Sequence, residues 1–102
     1  MWIGGMICIK TINEIDLYIN ENSSYISDID NDMYYYRGII EGIDFAKNAF
    51  IYDDKSCKEK VVFLLDCMKK KLEYEKMQGY GDELYIDWIM GYIKSLEWFL
   101  CE

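Results

Sequence analysis

The chain contains no histidine and no proline, and only two of its 102 residues are alanine. Without imidazole, the usual general base and the commonest metal ligand are both missing. The four cysteines, Cys8, Cys57, Cys67 and Cys101, therefore lack the partner that activates a catalytic thiol. None forms a CxxC pair, so a zinc site would have to gather thiolates alone from four distant points, which argues against one. There is no GxSxG elbow, no P-loop and no dinucleotide fingerprint; Gly79-Tyr80-Gly81 reads as a turn. No stretch approaches the ~20 apolar residues of a membrane span. The opening MWIGGMICIK lacks the basic flank and long apolar run of a signal peptide. The expectation is a non-enzymatic protein of a reducing cytosol that takes no cofactor. Its cysteines act as small hydrophobes, with Cys101 exposed beside the C-terminus. Met6 is an alternative start.

What is present points to helices. Apolar residues supply 52% of the chain, so it is globular, and its length fits one domain. The absence of proline and a total of seven glycines disfavour a turn-rich sandwich. Residues 6–9 form either a short strand or the lead into a first helix. T-I-N-E at Thr11–Glu14 is a capping box, and Ile12, Ile15 and Ile19 follow at helical spacing. The first helix is expected over 12–21, ending at Asn22-Ser23-Ser24. A second is expected from the 28–32 region to Tyr52, with Ile29, Met33, Tyr36, Ile40, Ile43 and Phe50 as its stripe and Lys47 in the one gap. S-C-K-E at Ser56–Glu59 is a second capping box. It opens a third helix with stripe Val61, Leu64, Leu65, Met68 and Leu72, ending near 76–78. Asp82 caps a fourth, which runs to Leu100 and is apolar around most of its circumference. Such a helix is either central or covered by a partner. The predicted architecture is an all-α bundle of about four helices in two hairpins, with one short N-terminal strand as an option. Tyr36, Ile40, Gly42 and Phe50 recur as Tyr85, Ile89, Gly91 and Phe99 at a constant offset, a pattern that either chance or a duplicated hairpin produces.

Two glycines and both alanines share the second helix. At ~100° per residue, Gly38, Gly42, Ala46 and Ala49 fall in one arc of roughly 80°. Tyr36, Ile40, Ile43 and Phe50 fill the adjacent arc, and Arg37, Glu41, Asp44 and Asn48 the polar remainder. A glycine inside a helix costs about 1 kcal/mol relative to alanine, so a flat face of this kind implies a compensating close contact. Gly91, flanked by Trp88 and Tyr92, is the counterpart within the chain. The face serves either an internal helix crossing or a groove for another subunit or partner.

Net charge is −8, and it is uneven. Residues 11–54 hold ten acids and two bases, whereas 55–102 hold nine acids and eight bases. No basic footprint for nucleic acid exists, and an anionic membrane would repel the first half. The field favours a partner protein with a basic surface, or serves solubility alone. Asp28, Asp30 and Asp32 open like a calcium loop, but Met33 stands at the glycine position and Ile39 at the closing glutamate position. They read instead as an acidic knob at a helix start. Tyr34 and Tyr35 lie beside these acids, and tyrosine brings contact area with a polar tip. The candidate partner-binding set is Asp28, Asp30, Asp32, Tyr34, Tyr35, Glu41 and Asp44. The candidate packing or oligomer face is Gly38, Gly42, Ala46, Ala49, Trp88, Gly91 and Tyr92.

The richness in isoleucine, lysine, asparagine and tyrosine suits an AT-rich genome, such as a low-GC bacterium or its phage. In size, charge and tyrosine content the chain resembles small phage-encoded anti-defence proteins, anti-CRISPR inhibitors among them. The resemblance lies in general character and rests on no motif, so it carries no functional residues over. It implies a non-enzymatic inhibitor that competes with nucleic acid or blocks assembly of a nuclease complex in the bacterial cytosol. A helical homo-oligomer, minimally a homodimer, is the alternative expectation.

Overall fold

A computed structural model describes residues 10–26, 33–53, 55–78 and 83–101. They form four helices: α1 (Ile12–Ile26), α2 (Met33–Tyr52), α3 (Cys57–Met77) and α4 (Glu83–Leu100). The fold is all-α, with no strand among the described residues. The optional strand at 6–9 and the Asp82 cap lie outside them.

The starts of α1 and α3 show how side chains settle backbone donors. At α1 the Thr11 N–H donates to Glu14 Oε1 at 2.9 Å and the Glu14 N–H donates to Thr11 Oγ1 at 3.2 Å, closing the expected box. Those bonds hold the Glu14 carboxyl below its ordinary range. The second box does not close. Ser56 makes no side-chain cap bond. Its hydroxyl donates to Asp53 Oδ2 at 2.8 Å, and the Lys55 N–H donates to Asp53 Oδ1 at 3.1 Å. Asp53, held below the usual carboxylate range first by the Ser56 hydroxyl and then by the Lys55 N–H, organises the turn instead.

The expected break at Asn22–Ser24 is also corrected, because α1 continues to Ile26. Asn22 Nδ2 donates to the Tyr18 carbonyl at 2.8 Å and the Ser24 hydroxyl to the Glu21 carbonyl at 2.7 Å. Polar side chains that could compete with the helix instead bond back onto its own carbonyls.

The principal packing pair is α2 with α4, two helices separated in sequence by α3. Gly38 faces Trp88 and Tyr92, and Gly42 faces Tyr92 and Ser95, so the two run parallel. α3 packs mainly on α4, and α1 on α2. Lys10 beside Cys101 and Asp16 beside Lys47 set the start of α1 at the C-terminal ends of α2 and α4. The Asp16–Lys47 pair bridges α1 and α2 at 2.6 Å, half-exposed. Lys47, the gap in the apolar stripe of α2, is thus a bridge to α1.

The core gathers Ile15 of α1, Ile43 and Ala46 of α2, Cys57, Val61 and Leu65 of α3, and Ile89, Leu96 and Phe99 of α4. α4 is central. Its buried residues are Ile89, Gly91, Ile93, Ser95, Leu96, Phe99 and Leu100, while Trp98 stacks on Tyr18 of α1 with centroids 4.0 Å apart. Buried Ser95 donates to the Tyr92 carbonyl at 2.8 Å, which removes the penalty of an unpaired hydroxyl.

Candidate functional site

The α2–α4 crossing is where backbone meets backbone. A Cβ built on Gly38 would lie 2.9 Å from both the Trp88 carbonyl carbon and the Tyr92 nitrogen, and nearer still to the Trp88 oxygen. A Cβ on Gly91 would lie 2.9 Å from the Tyr35 carbonyl carbon and 3.0 Å from the Ile39 nitrogen. At Gly42 it would meet the Ser95 hydroxyl, with the Tyr92 oxygen at 2.9 Å. Gly38, Gly42, Ala46, Ala49 and Gly91 are all buried. The flat arc of α2 is covered by α4 of the same chain. With no side chain at Gly38 or Gly42, the α4 backbone comes up against α2, leaving hollows at the rims of the crossing.

One rim is a groove of about 390 Å³ lined by Tyr34, Arg37, Glu41, Leu84, Tyr85 and Trp88. Its walls follow from helix periodicity. Tyr34, Arg37, Glu41 and Asp44 recur at spacings of three and four, so they share one edge of α2. Tyr85, Trp88 and Tyr92 do the same on α4. Tyr85 and Trp88 are stacked, 6.0 Å apart with planes 8° apart. Trp88 and Tyr92 follow at 5.2 Å. An aromatic ladder therefore faces an edge that carries two carboxylates and one guanidinium.

The electrostatics agree with that layout. Tyr92 is held above the ordinary phenol range by burial first and then by the charges of Glu41 and Asp44, so the acidic edge reaches the far end of the ladder. Lys71 of α3 stands 5.5 Å over the Tyr85 ring, and its ammonium is held above its usual range by Tyr85. The ladder thus already takes a cation on one face. Chemically, this groove suits a cationic side chain: a ring face attracts the charge, and a nearby carboxylate bonds it.

The candidate partner-binding residues separate. Tyr34 and Glu41 line the groove, and Asp44 continues the same edge, accepting a bond from Asn48 Nδ2 at 3.3 Å. Tyr35 does not join them. It packs edge-to-face on Tyr36 with centroids 5.4 Å apart and lines a separate hollow of about 230 Å³ with Leu72, Met90 and Ile93. Burial raises its phenol. Asp28, Asp30 and Asp32 lie outside the described residues. Arg37, Leu84 and Tyr85 were not in the candidate set. The three-and-four spacing of Tyr85, Trp88 and Tyr92 was the available signal, but their place opposite α2 depends on the crossing register.

Among the described residues, no three Cys, Asp or Glu side chains gather to hold a metal ion, and no helix is long and apolar enough to cross a membrane. Cys57 is buried, and Cys67 and Cys101 are exposed. The chain matches no family model, no curated protein and no solved structure.

Proposed function

We propose that this chain is a non-enzymatic, acidic protein-binding module that takes hold of a basic surface on a partner protein. The observation that carries the reading is the shared groove. Tyr34, Arg37 and Glu41 on α2 line it with Leu84, Tyr85 and Trp88 on α4, and Asp44 and Tyr92 continue its two edges, in a molecule of net charge −8. Long-range charge steers a basic partner inward. The groove then receives an arginine or lysine side chain, with its charge against the ladder and its donors toward Glu41 and Asp44.

The resemblance to phage anti-defence proteins directs the proposal toward nucleic-acid-binding effectors. A basic surface occupied in this way excludes the nucleic acid that it would otherwise bind. The protein then acts as an inhibitor in the bacterial cytosol, by occupancy and without turnover.

The test is fluorescence anisotropy of a dye-labelled, arginine-rich octapeptide titrated with the protein. Binding is expected to weaken steeply as salt rises from about 0.05 to 0.3 M. It is also expected to drop at least tenfold in Glu41→Lys/Asp44→Lys and several-fold in Tyr34→Ala. Equal binding by the wild type and the charge-reversed variant would overturn the proposal.

A further inference from the structure

α3 carries two stripes, and the described residues bury one. Val61, Leu65 and Met68 are buried, with Leu64 and Leu72 packed beside them. On the opposite side Phe63, Tyr74 and Met77 are 71%, 61% and 82% exposed, and Cys67 and Lys70 between them are exposed as well. At ~100° per residue these five fall within an arc of about 80°, on the side of the helix away from the buried stripe. Their spacing of four, three, four, three is that of a coiled-coil seam.

The flanking charges say which occupant fits. Taking Phe63, Lys70 and Met77 as d positions and Cys67 and Tyr74 as a positions, Glu59, Asp66 and Glu73 all fall at g, and Lys71 falls at e. In a parallel pair each g residue faces the following e residue of the other helix. Asp66 of one copy, which bonds Lys70 of its own helix at 3.1 Å, then meets the Lys71 that stands over Tyr85 in the second, twice by symmetry; both side chains are exposed and reach solvent. An antiparallel pair would set g against g and bring acid to acid.

We propose that the outer seam of α3 pairs two copies of this chain in parallel. The seam spans about 21 Å, shorter than an interface of ~800 Å² per partner needs, and Lys70 interrupts it. The dimer is therefore reversible and depends on concentration. This pairing does not rest on the groove between α2 and α4.

Sedimentation equilibrium of the full chain over about 5–500 µM tests it. The wild type is expected to shift from monomer to dimer across that range. Phe63→Glu/Met77→Glu should stay monomeric with unchanged helical circular dichroism, since both side chains are exposed. Lys70→Leu should tighten association at least tenfold. Asp66→Lys should weaken it, and adding Lys71→Asp should restore it. A wild type and a Lys70→Leu variant that are both monomeric throughout would overturn the proposal. So would a dimer indifferent to Phe63→Glu/Met77→Glu, or one strengthened by Asp66→Lys, which would indicate an antiparallel pair.

Discussion

Replacing Gly38 by alanine should lower stability, although the same change in an exposed helix interior raises it by about 1 kcal/mol. The new methyl would stand 2.9 Å from the Trp88 carbonyl carbon and the Tyr92 nitrogen, where carbon contacts settle at ~3.5–4.0 Å. All the atoms it meets belong to the backbone of α4, so no rotamer change relieves the overlap. α2 and α4 must move apart. A gap of order 0.5–1 Å forfeits a quarter to a half of the dispersion energy across it, and overpacking a core costs roughly 1–3 kcal/mol. The upper part of that range applies here, because this pair is the main contact of the fold. After the gain in helix propensity, a net loss of about 2 kcal/mol remains. At ~4–8 °C per kcal/mol for a chain of this size, Tm falls by about 8–16 °C. Thermal unfolding followed by circular dichroism reads this directly, with exposed Asn48→Ala as the control. Gly91→Ala should match Gly38→Ala. Gly42→Ala should be milder, because its nearest neighbour is the Ser95 hydroxyl, which can rotate. A Gly38→Ala variant that melts above the wild type would refute the backbone contact.

Three further outcomes follow from single residues. Cys101 sits at φ 61° just past α4, its N–H bonded to the Trp98 carbonyl at 3.1 Å. Cys101→Gly should therefore stabilise the protein by roughly 0.5–1 kcal/mol, measured as a rise in urea midpoint. Tyr18 is pushed up to about 12 by burial and then by Tyr35. The folded chain thus keeps a proton that the unfolded chain releases near pH ~10. This contribution to stability is complete below that pH and is lost between it and about 12; ultraviolet phenolate titration and alkaline melts should agree. Arg37 lines the groove with Glu41 and opposes an incoming cation, so Arg37→Gln should tighten the arginine-rich peptide about threefold, the Coulomb term for unit charges ~6–7 Å apart in water.

Much of the fold was legible in the sequence. The stripe of α3, the apolar circumference of α4 and the box at Thr11–Glu14 are local patterns, and local physics settles them; on α2 the flat arc is the buried one, and Ile43 is the one described member of the expected stripe that is buried, beside Ile39. The two local misreadings share a cause. Asn22, Ser24 and Ser56 each have several hydrogen-bond partners within reach, and spacing alone does not decide among the i−4 carbonyl, the i−3 carbonyl and Asp53. The groove was less legible. Tyr34 and Tyr35 are neighbours in sequence, yet a rotation of ~100° sends one to the groove beside Arg37 and Glu41 and the other to the hollow beside Leu72. Tyr85 joins Tyr34 only because three glycines fix how closely, and in what register, α2 meets α4. The second stripe of α3 was present as a spacing but lay behind the stronger Val61–Leu72 pattern.

The groove can be tested most directly by a nitrogen–proton correlation spectrum of the labelled protein titrated with the arginine-rich octapeptide. The expected result is that shifts concentrate at the Trp88 indole N–H and at the amides of residues 34–44. Shifts spread evenly over the acids of α3, such as Glu59, Glu73 and Glu75, with the Trp88 indole unmoved, would contradict it.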